Sequence, residues 1–170
     1  MIEVLRWPLD APDRRALAEL LADAVNSGAS LSFLPPLGAD EALCWWESTL
    51  ASARPRSFVL VARDAEGIAG TVQLLTFWSP NQAHRGQLSK LIVHPRARRK
   101  GVARALIHAL EQRAAHTGFS LLTLDVRRDD PAEQLYRSAG WTPAGVVPRD
   151  CLEPDGSQSD TVVFYKAIAP

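Results

Sequence analysis

Cysteine, net charge and long apolar runs are the features in which this chain is poorest. Its two cysteines, Cys44 and Cys151, lack metal-ligand spacing, and their scarcity favours a reducing, cytoplasmic setting. Nineteen basic residues balance nineteen acidic ones, so the summed charge gives no long-range attraction to nucleic acid or to an anionic membrane. No stretch reads as a signal peptide or a membrane span. Any anion-binding site must therefore be local.

Internal repeats, low-complexity segments and clusters of metal ligands are also missing. The four histidines, His84, His94, His108 and His116, do not cluster, so no metal site is predicted. What remains is a chain of 170 residues, 46% of them hydrophobic, which is enough to bury a substantial core. We expect a single domain over residues 1–170.

The stretch 87–116 organises the rest of the chain. Its apolar run, Leu88 with residues 91–93, predicts a buried strand that ends near His94, because the following proline cannot continue a central ladder. Apolar residues at three- and four-residue spacing then predict an amphipathic helix that begins near Gly101. A strand, a tight turn and a helix are therefore expected in this order.

The turn between this strand and this helix is basic and contains small residues. Arg98, Arg99 and Lys100 stand directly before Gly101, where backbone N–H groups at a helix start are free to bind phosphate. The turn predicts a phosphate site. The alternatives are a solvated basic turn and a nucleic-acid patch. The balanced net charge and the lack of interleaved aromatic residues disfavour the nucleic-acid patch.

Periodicity and turn signals predict the remaining elements. A mixed sheet is expected, because the central strand, its helix and the next apolar strand form a parallel unit, whereas residues 57–77 read as an antiparallel hairpin. The predicted strands are 2–7, 57–62, 68–77, 121–126, 141–147 and 161–168, and the predicted further helices run from about 10 to 25, from 39 to 50 and from about 130 to 140. Residues 78–87 are predicted as a loop and 151–159 as a polar connector.

Two early features are candidates for a pocket. The apolar loop 29–36 would be unusual on a soluble surface unless it folds over something, so it is a candidate wall. In the adjacent pair Trp45 and Trp46, only one side chain can face the core squarely, and the other could border a pocket. Packing alone would also account for both tryptophans.

The pattern RxxGxA at residues 98–103, placed after an apolar strand, resembles the pyrophosphate-binding motif of the GNAT N-acetyltransferase superfamily. With LYxxxGW at 135–141 and the order of elements, the resemblance covers nearly the whole chain. It implies the GNAT fold, an α/β (α+β) arrangement with a mixed central sheet of about seven strands, about four helices and splayed central parallel strands. Segments such as ASLSF, SPNQAHR and LLTLDV look most like tabtoxin-resistance-type bacterial acetyltransferases.

The resemblance implies an acetyl-CoA-dependent N-acetyltransferase and a set of coenzyme-binding residues. The pantetheine arm would bind along a strand edge, and the pyrophosphate would bind to the basic turn. The implied edge residues are Leu91, Ile92 and Val93, and the implied turn residues are Arg98, Arg99, Lys100, Gly101, Val102, Ala103 and Arg104.

The resemblance also implies two catalytic residues. Tyr136 is the candidate general acid toward the leaving thiolate, and Asp125 is the candidate base or anchor for the acceptor amine. Many relatives carry a glutamate in the central strand where this chain has Gln87, which cannot act as a base and puts more weight on Asp125. Taken alone, Tyr136 could be an ordinary helix tyrosine and Asp125 could cap a turn.

The expected reaction is direct transfer of acetyl from acetyl-CoA to a primary amine of a small molecule. An antibiotic-like amine, an amino acid and a protein amine remain open as acceptors, because the fold does not determine the substrate. The alternative function is a noncatalytic acyl-CoA-binding regulatory module. No metal, nucleic-acid or membrane partner is expected, and a homodimer is possible because dimers are common in the resembling family.

Overall fold

The protein, described over residues 1–169 by a computed structural model, contains a seven-stranded mixed sheet and four helices. The strands are β1 (Ile2–Val4), β2 (Phe58–Asp64), β3 (Gly67–Thr76), β4 (Arg85–Val93), β5 (Leu121–Arg127), β6 (Thr142–Leu152) and β7 (Gln158–Ala167). The helices are α1 (Ala11–Asn26), α2 (Ala39–Ala51), α3 (Val102–His116) and α4 (Pro131–Ser138). The predicted fold class is confirmed, and no helix in this part of the chain is long and apolar enough to cross a membrane.

Short-range chemistry explains where the helices begin. The Asp10 carboxylate accepts a hydrogen bond from the Asp13 N–H at 2.9 Å, and the Asp130 carboxylate accepts one from the Ala132 N–H at 2.8 Å. Each bond satisfies an N–H group that the first turn of a helix leaves free. Helix α3 instead begins after Gly101, whose φ of 81° lies in the left-handed region that glycine adopts easily.

Helices cover both faces of the sheet and create two apolar cores. On one face, the fully buried Leu21 of α1 and Trp46 of α2 belong to the same cluster as Val61 of β2. On the other face, Leu106 of α3 and Leu74 of β3 are buried in a second cluster. Burying one such side chain contributes about 1.5–3 kcal/mol, so both faces hold the sheet in place.

The strand order is β1-β2-β3-β4-β5-β7-β6, and only the central pair β4 and β5 is parallel. Their pairing covers three residue pairs, from Arg85 with Leu121 to Gln87 with Thr123. Beyond these pairs the two strands separate, although each remains paired with its outer neighbour. The splayed central strands that the sequence led us to expect are therefore present.

Several predicted element limits were wrong. Strand β1 ends at Val4, well before Pro8, which has no N–H group to continue a ladder. Strand β4 already begins at Arg85, so residues 85–87 belong to the sheet and not to the predicted loop. The predicted connector 151–159 is reduced to 153–157, because β6 is an exposed edge strand that pairs with β7 through backbone groups and needs few apolar side chains.

Candidate active site at the splayed strands

The separation of β4 and β5 opens a cavity of about 150 Å³ in the centre of the sheet. Its wall includes residues 29–32 of the early loop, 88–91 of β4 and 125–127 of β5, together with Tyr136 of α4. Both residues predicted as catalytic, Asp125 and Tyr136, therefore line the same space as Leu91 of the predicted coenzyme edge.

The register of β3 and β4 determines which backbone groups face the gap. The His94 N–H donates to the Ala69 carbonyl at 2.9 Å, and Val93 and Ile92 stand opposite Gly70 and Thr71. Because hydrogen-bonded and non-hydrogen-bonded pairs alternate along antiparallel strands, Ile92 pairs with β3 while Val93 points its N–H and C=O groups into the gap. Leu91 lines the cavity beside this position, and the assignment of Leu91, Ile92 and Val93 to the coenzyme edge stays a prediction.

The basic turn after β4 presents free N–H groups. The first intrahelical hydrogen bond of α3 runs from the Ala105 N–H to the Gly101 carbonyl at 3.0 Å, so the N–H groups of Val102, Ala103 and Arg104 precede it. The side chains of Arg99 and Lys100 are exposed at this turn. A cluster of donors at a helix N-terminus with nearby positive charge is suited to a phosphate group.

Two arginines predicted at this turn contact the protein itself. The Arg98 Nε donates to the Val93 carbonyl at 3.2 Å, which links the turn to the end of β4. The Arg104 guanidinium donates to the Ser138 hydroxyl at 2.9 Å, which links α3 to α4. Both side chains remain exposed and retain further N–H donors.

Asp125 and Gln87 meet across the mouth of the splay. The Gln87 side-chain amide donates to Asp125 Oδ1 at 2.7 Å, and the two residues are 38 positions apart in the sequence. Asp125 lines the cavity, and its other carboxylate oxygen has no hydrogen-bond donor within residues 1–169. The glutamine that cannot act as a base therefore orients the carboxylate that can bind an amine.

Tyr136 is a buried phenol whose neighbours oppose its ionisation. It is 6% exposed, and its ring lies 6.0 Å from the Trp141 ring and 6.2 Å from the Phe164 ring. Burial raises the pKa of Tyr136, and the negative charges of Asp130 and Asp125 raise it further. The hydroxyl makes no hydrogen bond within residues 1–169, so its proton is available to a group in the cavity.

The early loop is fixed over the cavity by a two-way hydrogen bond. The Asn26 side chain donates to the Leu37 carbonyl at 3.0 Å and accepts from the Leu37 N–H at 2.8 Å, which closes the segment between them. Phe33 of this loop packs edge-on against Trp45 at 5.5 Å between ring centroids. Trp46 is fully buried while Trp45 is partly exposed, as expected for two adjacent residues of a helix.

Sequence reasoning missed Lys90, a buried cation in the cavity wall. Between Thr71 and Gln73 the register with β4 shifts, so that Lys90 and Leu91 stand opposite the single residue Val72 in a β-bulge. Lys90 has a φ of 50° and is 8% exposed. The one signal in the sequence was a lysine directly before the apolar run Leu91 to Val93.

The described part of the chain holds no group of three or more His, Cys, Asp or Glu residues that could bind a metal ion. The predicted site residues thus fall into two neighbouring regions. Asp125, Tyr136 and the β4 edge surround the cavity, while residues 98–104 form the turn at the start of α3.

The chain is similar to known proteins over most of its length. The model of the acetyltransferase (GNAT) family matches residues 15–141. An uncharacterized N-acetyltransferase from the hisH-hisA intergenic region of Azospirillum brasilense is 34% identical over 138 residues, which cover 80% of this chain and 81% of the relative.

Two solved structures show the same fold over nearly the whole chain. The ribosomal-protein-alanine N-acetyltransferase of Brucella melitensis has a TM-score of 0.81 at 21% identity and covers 99% of each chain. The yncA protein of Salmonella typhimurium, solved with its cofactor acetyl-CoA, has a TM-score of 0.81 at 20% identity, covering 100% of this chain and 94% of that one.

Proposed function

Because this chain belongs to the acetyltransferase (GNAT) family, we propose that it transfers the acetyl group of acetyl-CoA directly to a primary amine of a small molecule. Membership of the family makes it an acetyl-CoA-dependent N-acetyltransferase; the small-molecule amine is the proposed part. The observation that carries the proposal is the splay of β4 and β5, which brings an unpaired strand edge, a carboxylate and a protonated phenol to one cavity.

The residues on the coenzyme side fit acetyl-CoA. Val93 directs backbone groups into the gap that Leu91 also lines, and the amides of a pantetheine arm can pair there as an added strand would. The N–H groups of Val102 to Arg104, with the charges of Arg99 and Lys100, suit a pyrophosphate. When bound, the thioester supplies an activated acetyl group, and the Val93 N–H is the donor proposed to polarise its carbonyl.

Asp125 is the residue proposed to bind the acceptor amine. Its carboxylate is oriented by the Gln87 amide and faces the cavity, where it can hold a cationic amine and accept a proton from it, directly or through water. Loss of that proton exposes the lone pair that attacks the thioester carbonyl carbon. The C–N bond forms as the C–S bond breaks, and the nitrogen then loses its second proton to solvent, to which Asp125 also releases the first.

Tyr136 is the residue proposed to protonate the departing thiolate. A buried phenol with a raised pKa stays protonated at neutral pH and can donate its hydrogen to a sulfur in the cavity. The phenolate that remains is neutralised by solvent after the product leaves. Holding both reactants between the two strands makes the transfer effectively intramolecular.

Several finer assignments stay predictions. We propose a single domain over residues 1–170, a place near the tabtoxin-resistance-type acetyltransferases and a cytoplasmic location, the last because Cys44 and Cys151 are free thiols. The absence of a metal and a homodimeric state are likewise predictions. The Brucella melitensis relative is named for a protein substrate, so a protein amine stays an outcome of the test.

The test combines calorimetric titration of acetyl-CoA with a thiol-release assay across a panel of amines. We expect binding, turnover of at least one small amine, and a loss of turnover of about 100-fold or more in Tyr136→Phe. Tyr165→Phe is the matched control, because Tyr165 is the other tyrosine of the chain and is 41% exposed on β7. Binding without turnover of any amine or peptide would favour the noncatalytic module.

A further inference from the structure

Lys90 is a buried cation in the wall of the cavity. Its Nζ lies 3.3 Å from the Ser32 hydroxyl, 5.0 Å from the Trp45 ring centroid and 5.8 Å from that of Phe33. It forms no ion pair with a carboxylate of residues 1–169. An ammonium has three N–H donors, so two of them have no hydrogen-bond partner in the described structure.

The other charged groups of the cavity wall, unlike Lys90, have partners of opposite charge or hydrogen-bond donors. Arg127 donates to Glu153 at 3.0 Å and to Asp130 at 3.3 Å, so its positive charge is paired with two carboxylates. Asp125 is bound by the Gln87 amide and not by Lys90. The cavity therefore presents one available carboxylate on β5 and one unmatched ammonium on β4.

The position of Lys90 is not explained by stability. Burying an ammonium without a counter-ion costs free energy that aromatic faces offset only in part, and a φ of 50° adds strain for a residue other than glycine. Burial also lowers the pKa of Lys90, with the charge of Asp125 acting in the opposite direction. A strained, buried and unpaired charge in a cavity is typical of a ligand-binding residue.

We propose that Lys90 binds a carboxylate of the acceptor, so that the acceptor is a small amino acid-like molecule with its amine at Asp125 and its carboxylate at Lys90. This inference rests on the proposed function of the same cavity. Ser32 adds a hydroxyl beside the ammonium, and the Trp45 and Phe33 rings lie 5.0 Å and 5.8 Å from its nitrogen. An acceptor amine without the carboxylate would leave the Lys90 ammonium unpaired and should bind poorly.

The test compares amino acids with their decarboxylated partners in the thiol-release assay. The pairs are leucine with isoamylamine, phenylalanine with phenethylamine and γ-aminobutyrate with propylamine, so that the spacing between the two charges varies. We expect kcat/KM to favour the acid in at least one pair by about 10- to 100-fold, which is the contribution of one charge-assisted hydrogen bond.

Lys90→Met keeps the length and apolar stem of the side chain and removes its charge. In this variant the ratio of the two kcat/KM values should fall toward one, chiefly through a higher KM for the acid, while acetyl-CoA affinity confirms an intact fold. Arg15→Met is the control for loss of a positive charge, because Arg15 is on the exposed surface of α1 and should leave the ratio unchanged.

Three outcomes would overturn the inference. They are wild-type protein that does not distinguish the members of any pair, an unaltered ratio in Lys90→Met, and turnover only of amines that lack a carboxylate. Failure to bind acetyl-CoA, or binding without turnover of any amine or peptide, would instead overturn the proposed function. The two failures are therefore distinguishable.

Discussion

Gly101 offers a direct test of the phosphate site, because its two near-isosteric replacements differ only in charge. Apart from the flanking residues, no atom of residues 1–169 lies within 4 Å of the position where a Cβ would lie, so a side chain at 101 meets no steric clash with them. The φ of 81° imposes a similar strain of about 1 kcal/mol on Asn and on Asp, both of which tolerate left-handed backbone. Comparing Gly101→Asp with Gly101→Asn therefore isolates the negative charge.

The size of the expected effect follows from Coulomb's law. A carboxylate about 5 Å from a phosphate group interacts unfavourably by about 3 kcal/mol at an effective dielectric constant near 20, and solvent screening reduces this to about 2 kcal/mol. The dissociation constant of acetyl-CoA should thus be about 30-fold higher for Asp than for Asn. The carboxylate that weakens acetyl-CoA binding should stabilise the fold, because a negative charge at the start of α3 interacts favourably with the helix dipole.

Titration calorimetry at two ionic strengths checks the expected loss of acetyl-CoA affinity, and thermal unfolding checks the expected effect on stability. The Asp variant should bind acetyl-CoA more weakly than the Asn variant, the gap should narrow at high salt, and its Tm should be equal or higher. Equal dissociation constants for the two variants would show that the pyrophosphate does not bind at this turn.

Three further predictions concern the cavity and the core. Asp125→Asn should lower kcat/KM for the amine by about 10- to 100-fold with acetyl-CoA affinity unchanged, and an equal loss in both would indicate a structural role. Lys90→Met should raise Tm at neutral pH. Because burial lowers the pKa of Lys90 in the folded state, the unfolded chain binds the proton more tightly, and the stability of the wild-type protein rises toward about pH 10. The difference in Tm between the variant and the wild-type protein should therefore shrink near that pH. Trp46→Phe removes a buried 3.1 Å bond to the Leu17 carbonyl and should cost about 2 kcal/mol in urea unfolding, whereas Trp45→Phe should cost less.

The order of elements was predictable because the local patterns are strong. Apolar spacing, His94 followed by proline, and Gly101 before a periodic run define the central strand, turn and helix without reference to the rest of the chain. The position of Asp125 near the end of a parallel strand also follows from the element order, since ligands meet such sheets at the carboxyl ends of their strands.

The remainder depends on pairing between distant segments. The bulge that turns Lys90 into the cavity arises from a register shift against β3, and the sequence of β4 alone does not predict it. The contact between Gln87 and Asp125 requires both strands of the splay to be in place. Leu152 and Gln158 were assigned to a connector because an exposed edge strand lacks the alternation that identifies half-buried strands.

The splay also affects how the resting protein exchanges its amide hydrogens. Central strands of a sheet are ordinarily the slowest segments to exchange, since every amide is held on one side or the other. The Ile92 and His94 amides are held by β3, while the Val93 amide between them faces a gap. At the end of β4, neighbouring amides should therefore exchange slowly, fast and slowly in sequence, although the strand lies in the centre of the sheet.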